Sequence, residues 1–572
     1  MMLFEIKEEA VDLLYTACEG RLGKGEIAQT IENAREGFGD IASKLAFSLA
    51  PLEKKSPAEI AKGIVAMMST QKSGFFSRIE SAGPYINLYM SDNAYSFALK
   101  KILKEKSKFG KASKTGKKMM VEFFHANTHK GVHIGHIRNI SLGESVCRLL
   151  EFNGNKVLRC NYQGDIGPHV AKCIWGYLNL HEGKAPETKR GIWLGKVYSD
   201  ATKKTEGNPE LEAQVQDINL KIYSHDKKLS GVWKETRQWC LDDFDEFYKE
   251  FDVHFNQFYF ESQTESVGKE FALELVKKGV AKVDQEAVIM DFKDESLGVF
   301  VLLTKEGYPL YSAKDLGLAK LKFAKYPDLD RSIHVVGKEQ EFYFKQLFKT
   351  FEKAGMDQEA AISYHLIYEL VMLPEGKMSS REGTMVLYEE LKEKLLAIVL
   401  GEVRKRHADW DEKKVNDTAL AITLAAIKFS MARRESNRQL IFDWDQALST
   451  EGDSGPYLQY AYVRTNGILR KAEFEPSVSK GYAFTDHEKS LIKMLSNFPA
   501  AAESAATTLS PHVLCGYLLE LAAELNKFYT TSRVLNAEKQ EEKETRLAII
   551  AATNAVLGSG LNLLGIKTLE MM

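Results

Sequence analysis

Cysteine is scarce in this chain, and none of it is arranged in pairs. The six cysteines among 572 residues (Cys18, Cys147, Cys160, Cys173, Cys240, Cys515) form no C-x-x-C pair. That distribution argues against a zinc knuckle and a disulfide framework, and it suits a reducing compartment. Long apolar runs are also missing: no stretch of about 18 or more apolar residues occurs, so no membrane span is expected. The start, Met1-Met2-Leu3-Phe4-Glu5, reaches an acid at once and lacks the basic-then-apolar order of a signal peptide, so a cytoplasmic address is expected. Excess charge is absent too. A net charge of −2 gives no global sign of a polyanionic partner, although a large RNA-binding protein can gather its Lys and Arg on one face.

What remains is an ordinary globular composition, 44% hydrophobic and 27% charged, in a chain too long for one core. Residues 1–112 read as a separate α+β unit, with helical periodicity at 8–18 and 57–70 and an extended stretch at 81–90. The basic segment Lys104-Glu105-Lys106-Ser107-Lys108-Phe109-Gly110-Lys111 reads as a linker. Across 116–385, short apolar strands (118–124, 156–162, 299–304, 331–336, 365–373) alternate with helices (134–152, 312–325, 338–354). On the first of these helices Ile137, Ile140, Cys147 and Leu150 share one face. Such alternation means parallel pairing with both faces covered: an α/β, doubly wound, Rossmann-type sheet, with ligands beyond the carboxyl ends of its strands. A charged, helical stretch at about 180–255 interrupts it as an insertion. Residues 386–572 lose the strand signal and read as an all-α domain.

The first strand runs into His125-Ala126-Asn127-Thr128-His129-Lys130-Gly131-Val132-His133-Ile134-Gly135-His136. Zinc is one reading of four clustered histidines, but Gly131 breaks the helix between them and no carboxylate or thiol completes the set. The nucleotide reading explains more. A helix starting near Ile134 offers free N–H groups and a positive dipole end to a phosphate. His133 and His136, a turn apart, can donate to the same phosphate, and Gly135 lets an adenine lie against the backbone. Some 240 residues later, Lys377-Met378-Ser379-Ser380-Arg381 forms a basic loop suited to closing on a pyrophosphate leaving group.

HIGH followed by a KMSKS-like loop resembles the class I aminoacyl-tRNA synthetases. Further stretches resemble the arginyl-tRNA synthetases: Glu122 to Asn139, Gly307 to Asp315, Val335 to Gln340, Gly455 to Ala461, Gly37 to Ala42, Ala82 to Asn87 and Gly560 to Ile566. The resemblance implies ligation of L-arginine to tRNA(Arg) through an arginyl-adenylate. ATP is a substrate accompanied by Mg2+, no structural metal is needed, and a monomer is implied. Glu122 and Asp315 would meet the guanidinium, helped by Tyr311 and Gln340, while Asn127 would hold the amino-acid end. A planar fork of N–H donors wants such carboxylates. Lys130, His133, Gly135, His136 and Lys377 would act in catalysis, with Met378, Ser379, Ser380 and Arg381 also on ATP. Two departures stand out. Ser380 occupies the place of the second KMSKS lysine, which makes Lys130 a candidate replacement, and Tyr343 stands where many relatives have histidine.

The resemblance further implies an anticodon-binding role for the C-terminal domain, with Tyr457, Tyr460 and Arg464 as tRNA contacts. About half of the aromatics in that helix are expected to pack instead. It also implies that the N-terminal domain touches the tRNA elbow and that adenylate formation needs bound tRNA. A cysteinyl synthetase would need zinc thiolates that the cysteines do not supply, and a non-catalytic RNA-binding paralogue would be expected to lose the histidines or the acidic pair.

Overall fold

Residues 3–35, 37–372 and 386–572 are described by the computed structural model. Five strands form the catalytic sheet. From one edge they run Gln257–Phe260, Lys156–Gln163, Lys118–Glu122, Arg331–Gly337 and Ser363–Tyr368, every neighbour parallel. Counted along the chain this is the order 3-2-1-4-5 of a doubly wound fold. The strand order reverses between Lys118–Glu122 and Arg331–Gly337, which opens a crevice beyond the ends of those two strands. Glu122 sits at that point, paired in register with Cys160 and His334.

The expected parallel sheet is present, with one exchange of strands. The apolar stretch at 299–304 does not join it. Gly298–Leu303 pairs antiparallel with Ala287–Phe292, which pairs with Lys282–Asp284 in a separate three-stranded sheet. Its place is taken by the short edge strand Gln257–Phe260. The insertion fills the crossover before that strand with the helices Pro168–Leu180, Arg190–Thr205, Pro209–Tyr223 and Lys227–Glu250.

The helix Ile134–Phe152 is buried nearly all round, because it is covered by the sheet on one side and by C-terminal helices on the other. At its far end Ser145 Oγ donates to Leu563 O at 3.0 Å.

The N-terminal part carries a four-stranded antiparallel sheet, Ile31–Asn33, Ile41–Ser43, Tyr85–Met90 and Phe76–Ala82. Its core residues, among them Leu45, Leu88 and Leu99, are continuous with Leu491, Leu514, Leu547 and Leu561 of the C-terminal helices. Lys493 Nζ meets Asp40 Oδ1 at 3.3 Å across this seam. The basic stretch read as a linker is part of the same seam. The helix Asp92–Glu105 runs into it, and Phe109, 1% exposed, packs beside Phe498. One buried aromatic outweighs four solvated lysines.

Among the described residues the helix Gln540–Leu563 is long and apolar enough to cross a membrane. Leu547, Ile549, Ile550, Leu557 and Leu561 are fully buried inside the bundle, which accounts for that composition.

Candidate active site

The chain leaves the strand Lys118–Glu122 in conformations that non-glycine residues rarely hold. Phe124 and His125 have φ of +80° and +52°. Packing imposes the bend: Phe124 is fully buried among Phe244, Phe247, Tyr248 and the His136 ring. Its amide donates to Asn139 Oδ1 at 2.5 Å, and Asn139 Nδ2 donates to Val335 O at 2.7 Å. One side chain thus joins the ends of the two strands that flank the crevice.

His133 is the N-cap of the helix that follows. Its Nδ1 accepts from the Gly135 amide at 3.1 Å, and His136 Nδ1 accepts from the His133 amide at 3.2 Å. This is a reciprocal capping box built from imidazoles. A neutral ring that accepts at Nδ1 carries its proton on Nε2. Burial, and then Lys130, pushes His133 down to about 4. Burial, with His133, His125 and Lys130 adding to it, holds His136 well below the ordinary imidazole range. Both rings are therefore neutral Nε2–H donors, with centroids 3.7 Å apart. A Cβ on Gly135 would stand 3.0 Å from His133 Nδ1, so this glycine makes room for the folded-back ring.

The first-turn amides expected to be free for a phosphate are occupied. Ile134 N–H donates to Val386 O at 3.1 Å, His136 N–H to His133 O at 2.8 Å, and Ile137 N–H to the same oxygen at 3.2 Å. The imidazole Nε2–H groups are the remaining donors at this end, and Lys130 Nζ lies 5.1 Å from the centre of the Tyr198 ring.

The other two histidines have different work. His129 is fully buried between the Oγ1 atoms of Thr128 (2.9 Å) and Thr236 (2.8 Å), which pins the loop to the insertion. His125 Nδ1 lies 3.3 Å from Tyr162 O. Gly195 of the insertion allows a close approach, since a Cβ there would meet Gly131 N at 2.8 Å. Asn127 Oδ1 accepts from Gly164 N–H at 3.1 Å.

The acidic corner separates into paired and unpaired carboxylates. Glu122, 3% exposed, has both oxygens engaged, with Lys322 Nζ at 2.8 Å and His334 Nδ1 at 3.2 Å. Burial alone would raise its pKa, but Lys322 and His334 overcome that and hold it well below the carboxylate range. Glu261 meets Lys314 at 2.8 Å, and Asp165 meets Arg237 at 2.7 Å. Asp315 differs. Among the described residues no cation lies within ion-pair distance of it, and its Oδ2 accepts from the Tyr343 hydroxyl at 2.6 Å. Burial pushes its pKa up to about 7 with help from the charges of Glu122 and Glu261, while the Tyr343 hydrogen bond and Lys322 oppose the rise. Tyr311 and Asp315 lie on the first turns of the helix Tyr311–Lys325, with Tyr311 62% exposed at the mouth. Gln340 is exposed at the end of the turn Lys338–Gln340, directly beyond the strand Arg331–Gly337.

Lys377, Met378, Ser379, Ser380 and Arg381 lie outside the described residues. The segments on either side are tied to the HIGH helix. Tyr388 N–H donates to Val132 O at 2.8 Å, and Arg138, itself fully buried, donates to Leu370 O at 3.3 Å and to Ser436 O and Arg438 O at 3.0 Å.

On the C-terminal domain, Tyr460 and Arg464 are exposed. Arg464 lies 4.5 Å from the centre of the Tyr529 ring and donates to Asn526 Oδ1 at 3.1 Å, while Tyr457 OH accepts from Asn526 Nδ2 at 3.0 Å. Tyr462 instead packs against Gly558.

Three family models match. Residues 98–444 match tRNA synthetases class I (R), catalytic domain; 458–572 match the DALR anticodon binding domain; and 6–90 match the arginyl tRNA synthetase N terminal domain. The arginine–tRNA ligase of Treponema denticola is 35% identical, over 94% of this chain and 93% of its own. That of Bdellovibrio bacteriovorus is 32% identical with the same coverage.

The chain belongs to the arginyl-tRNA synthetase family.

The solved Thermus thermophilus arginyl-tRNA synthetase superposes with a TM-score of 0.80 at 25% identity, covering 98% of this chain and 99% of that one. Family membership makes the reaction class the ligation of arginine to tRNA through an aminoacyl-adenylate. Sequence reasoning missed one part of this arginyl-tRNA synthetase site, Gly164-Asp165-Ile166-Gly167-Pro168. Asp165, fully buried, accepts from Ser262 N–H at 2.9 Å and Ser262 Oγ at 2.7 Å. Gly167 has φ +122° and turns the chain into the helix that Pro168 begins. The available signal was a Gly-Asp-x-Gly-Pro string at the end of a strand.

Proposed function

We propose that the crevice beyond Glu122 and Gly337 binds arginine and ATP with the following division of labour. Asp315 takes the guanidinium, because on the helix Tyr311–Lys325 at the crevice it has no ion pair among the described residues and is held instead by the neutral hydroxyl of Tyr343. That single observation carries the reading. A half-buried carboxylate whose charge is disfavoured gains most from an incoming cation, and a guanidinium supplies one with matched donors. Glu122 supports at second hand, since its oxygens are held by Lys322 and His334. Tyr311 and Gln340 border the mouth, and Asn127 faces the amino-acid end.

The arginine carboxylate attacks the α-phosphate of ATP and pyrophosphate leaves. The neutral Nε2–H groups of His133 and His136 donate to the phosphate oxygens as charge builds on them, with Lys130 adding positive charge. Gly135 keeps the His133 ring in place for this. Lys377, Met378, Ser379, Ser380 and Arg381 complete the ATP contacts. Magnesium enters with the triphosphate as part of the substrate, since Mg2+ is commonly carried by substrate phosphates with few protein ligands. The terminal ribose hydroxyl of tRNA(Arg) then attacks the activated carbonyl, forming the ester as the bond to the phosphate oxygen breaks and AMP leaves. Positioning accounts for most of the rate, and no covalent intermediate with the protein is needed.

The experiment is amino-acid-dependent pyrophosphate exchange in the presence of tRNA. Exchange is expected with arginine and with none of the other amino acids, lysine included; exchange supported equally by lysine would defeat the assignment.

The same reading divides the chain into a tRNA-contacting part (1–112), the catalytic part (116–385) and an anticodon-binding part (386–572), working as a single chain in the cytoplasm. The six free, buried cysteines suit that compartment. Tyr460 and Arg464, whose guanidinium lies between the Tyr460 and Tyr529 rings at 5.7 and 4.5 Å from their centres, offer aromatic and cationic surface to unpaired bases. Arg464→Ala is expected to weaken tRNA binding about fivefold and to leave the KM values for arginine and ATP unchanged. Unaltered tRNA affinity would move the anticodon contact elsewhere.

A further inference from the structure

We propose that Tyr343 is a positioning residue for substrate arginine: its hydroxyl holds the Asp315 carboxylate in place and ready to accept the guanidinium. The proposal rests on the assignment of Asp315 made above.

Tyr343 belongs to the helix Glu341–Lys353, and Asp315 to the helix Tyr311–Lys325. The 2.6 Å bond from the Tyr343 hydroxyl to Asp315 Oδ2 joins the two. The phenol cannot swing away easily. Its ring stands edge-on to Phe300 at 5.3 Å and to Phe344 at 5.8 Å, and both of those rings are buried. A phenol has one proton to donate. Donating it to Oδ2 leaves Oδ1 for the N–H groups of a guanidinium, so the hydroxyl fixes which edge of the carboxylate faces the substrate.

The surroundings explain why such a donor is needed. The groups acting on Asp315 are Glu122 from the first strand, Tyr162 from the second and Glu261 from the helix after the third. Tyr311 and Lys322 act from its own helix, and Tyr343 from the next. Glu122 and Glu261 favour a proton on Asp315, as burial does. Lys322 is committed to Glu122. Tyr343 is the neutral group that stabilises the charged carboxylate without competing for the guanidinium, as a lysine in the same place would.

The test is Tyr343→Phe, read by arginine-dependent pyrophosphate exchange with tRNA present, between pH 6 and 9. The KM for arginine is expected to rise about fivefold at pH 7 and nearly tenfold at pH 6, the KM for ATP to stay within about twofold, and the two enzymes to converge near pH 9. The midpoint of the arginine profile should move from about 7 to about 8. Tyr343→His keeps a ring N–H donor and should recover most of the affinity. It also supplies the comparison should the phenylalanine variant not accumulate.

A rise in arginine KM that is independent of pH, or one matched by ATP, overturns the proposal. In an Asp315→Asn background Tyr343→Phe should add nothing. If Asp315→Asn itself leaves the arginine KM unchanged, the assignment of Asp315 falls. If Asp315→Asn acts and Tyr343→Phe does not, the role of Tyr343 alone falls.

Discussion

Asp315→Asn raises the KM for arginine about a hundredfold, and the KM for ATP changes by less than about twofold. Asparagine fills the same space and can still accept from Tyr343, so the variant removes charge with little change of shape. Truncating one side of a buried, hydrogen-bonded charge pair costs about 2–5 kcal/mol, and each 1.4 kcal/mol is tenfold. Steady-state pyrophosphate exchange measures both constants, and equal losses for the two substrates would mark Asp315 as a structural residue. The same carboxylate sets a pH dependence in the unaltered enzyme. Its folded pKa of about 7 lies above the ordinary aspartate value, so the charged form is present above about 7 and is lost as pH falls through it. Arginine KM should therefore rise below pH 7, because the guanidinium stays charged while its partner is neutralised.

His133→Asn lowers kcat about a hundredfold and leaves helix stability nearly intact. Asparagine is a good N-cap, so the bond from the Gly135 amide has a replacement, whereas the Nε2–H donor has none. Removing one preorganised donor to a developing oxyanion costs roughly a hundred- to a thousandfold. His133→Ala should lose the same kcat and a further ~1 kcal/mol of stability, seen as a lower Tm. If His133→Asn retains kcat, the histidine serves only to cap the helix. Since His133 is neutral above about 4, kcat should stay flat from pH 8 down to near 5.5, where the arginine KM has already risen. Separate profiles for kcat and KM thus distinguish the two ends of the site.

The doubly wound fold was legible because strand and helix periods alternate, and alternation forces parallel pairing. Which strand joins which sheet was not. Gly298–Leu303 is as apolar as any strand of the main sheet, and an apolar run reads alike whether it joins that sheet or, as here, forms a hairpin with the preceding Ala287–Phe292. Gln257–Phe260 is only four residues long, with no period to detect. At the site, the motif announced His133 and His136, but not that their Nδ1 atoms are consumed in capping or that the first-turn amides are taken. Those facts depend on ring orientation and on Val386, far along the chain. Glu122 and Asp315 looked equivalent in sequence. Lys322, two hundred residues from Glu122, separates them by neutralising one and leaving the other. The N-terminal unit was legible because its strands and helices are local; the apolar face that it shares with the last helices was not, because its partners lie at the far end of the chain.

That shared face has a consequence for the order in which the chain can be made. Leu45, Leu88 and Leu99 emerge from the ribosome early, yet the surface that finally covers them includes Leu547 and Leu561. At about 5–20 residues per second, the first module waits roughly half a minute or more with part of its apolar surface uncovered. For that interval the chain carries an uncovered apolar face, the kind of surface on which aggregation starts.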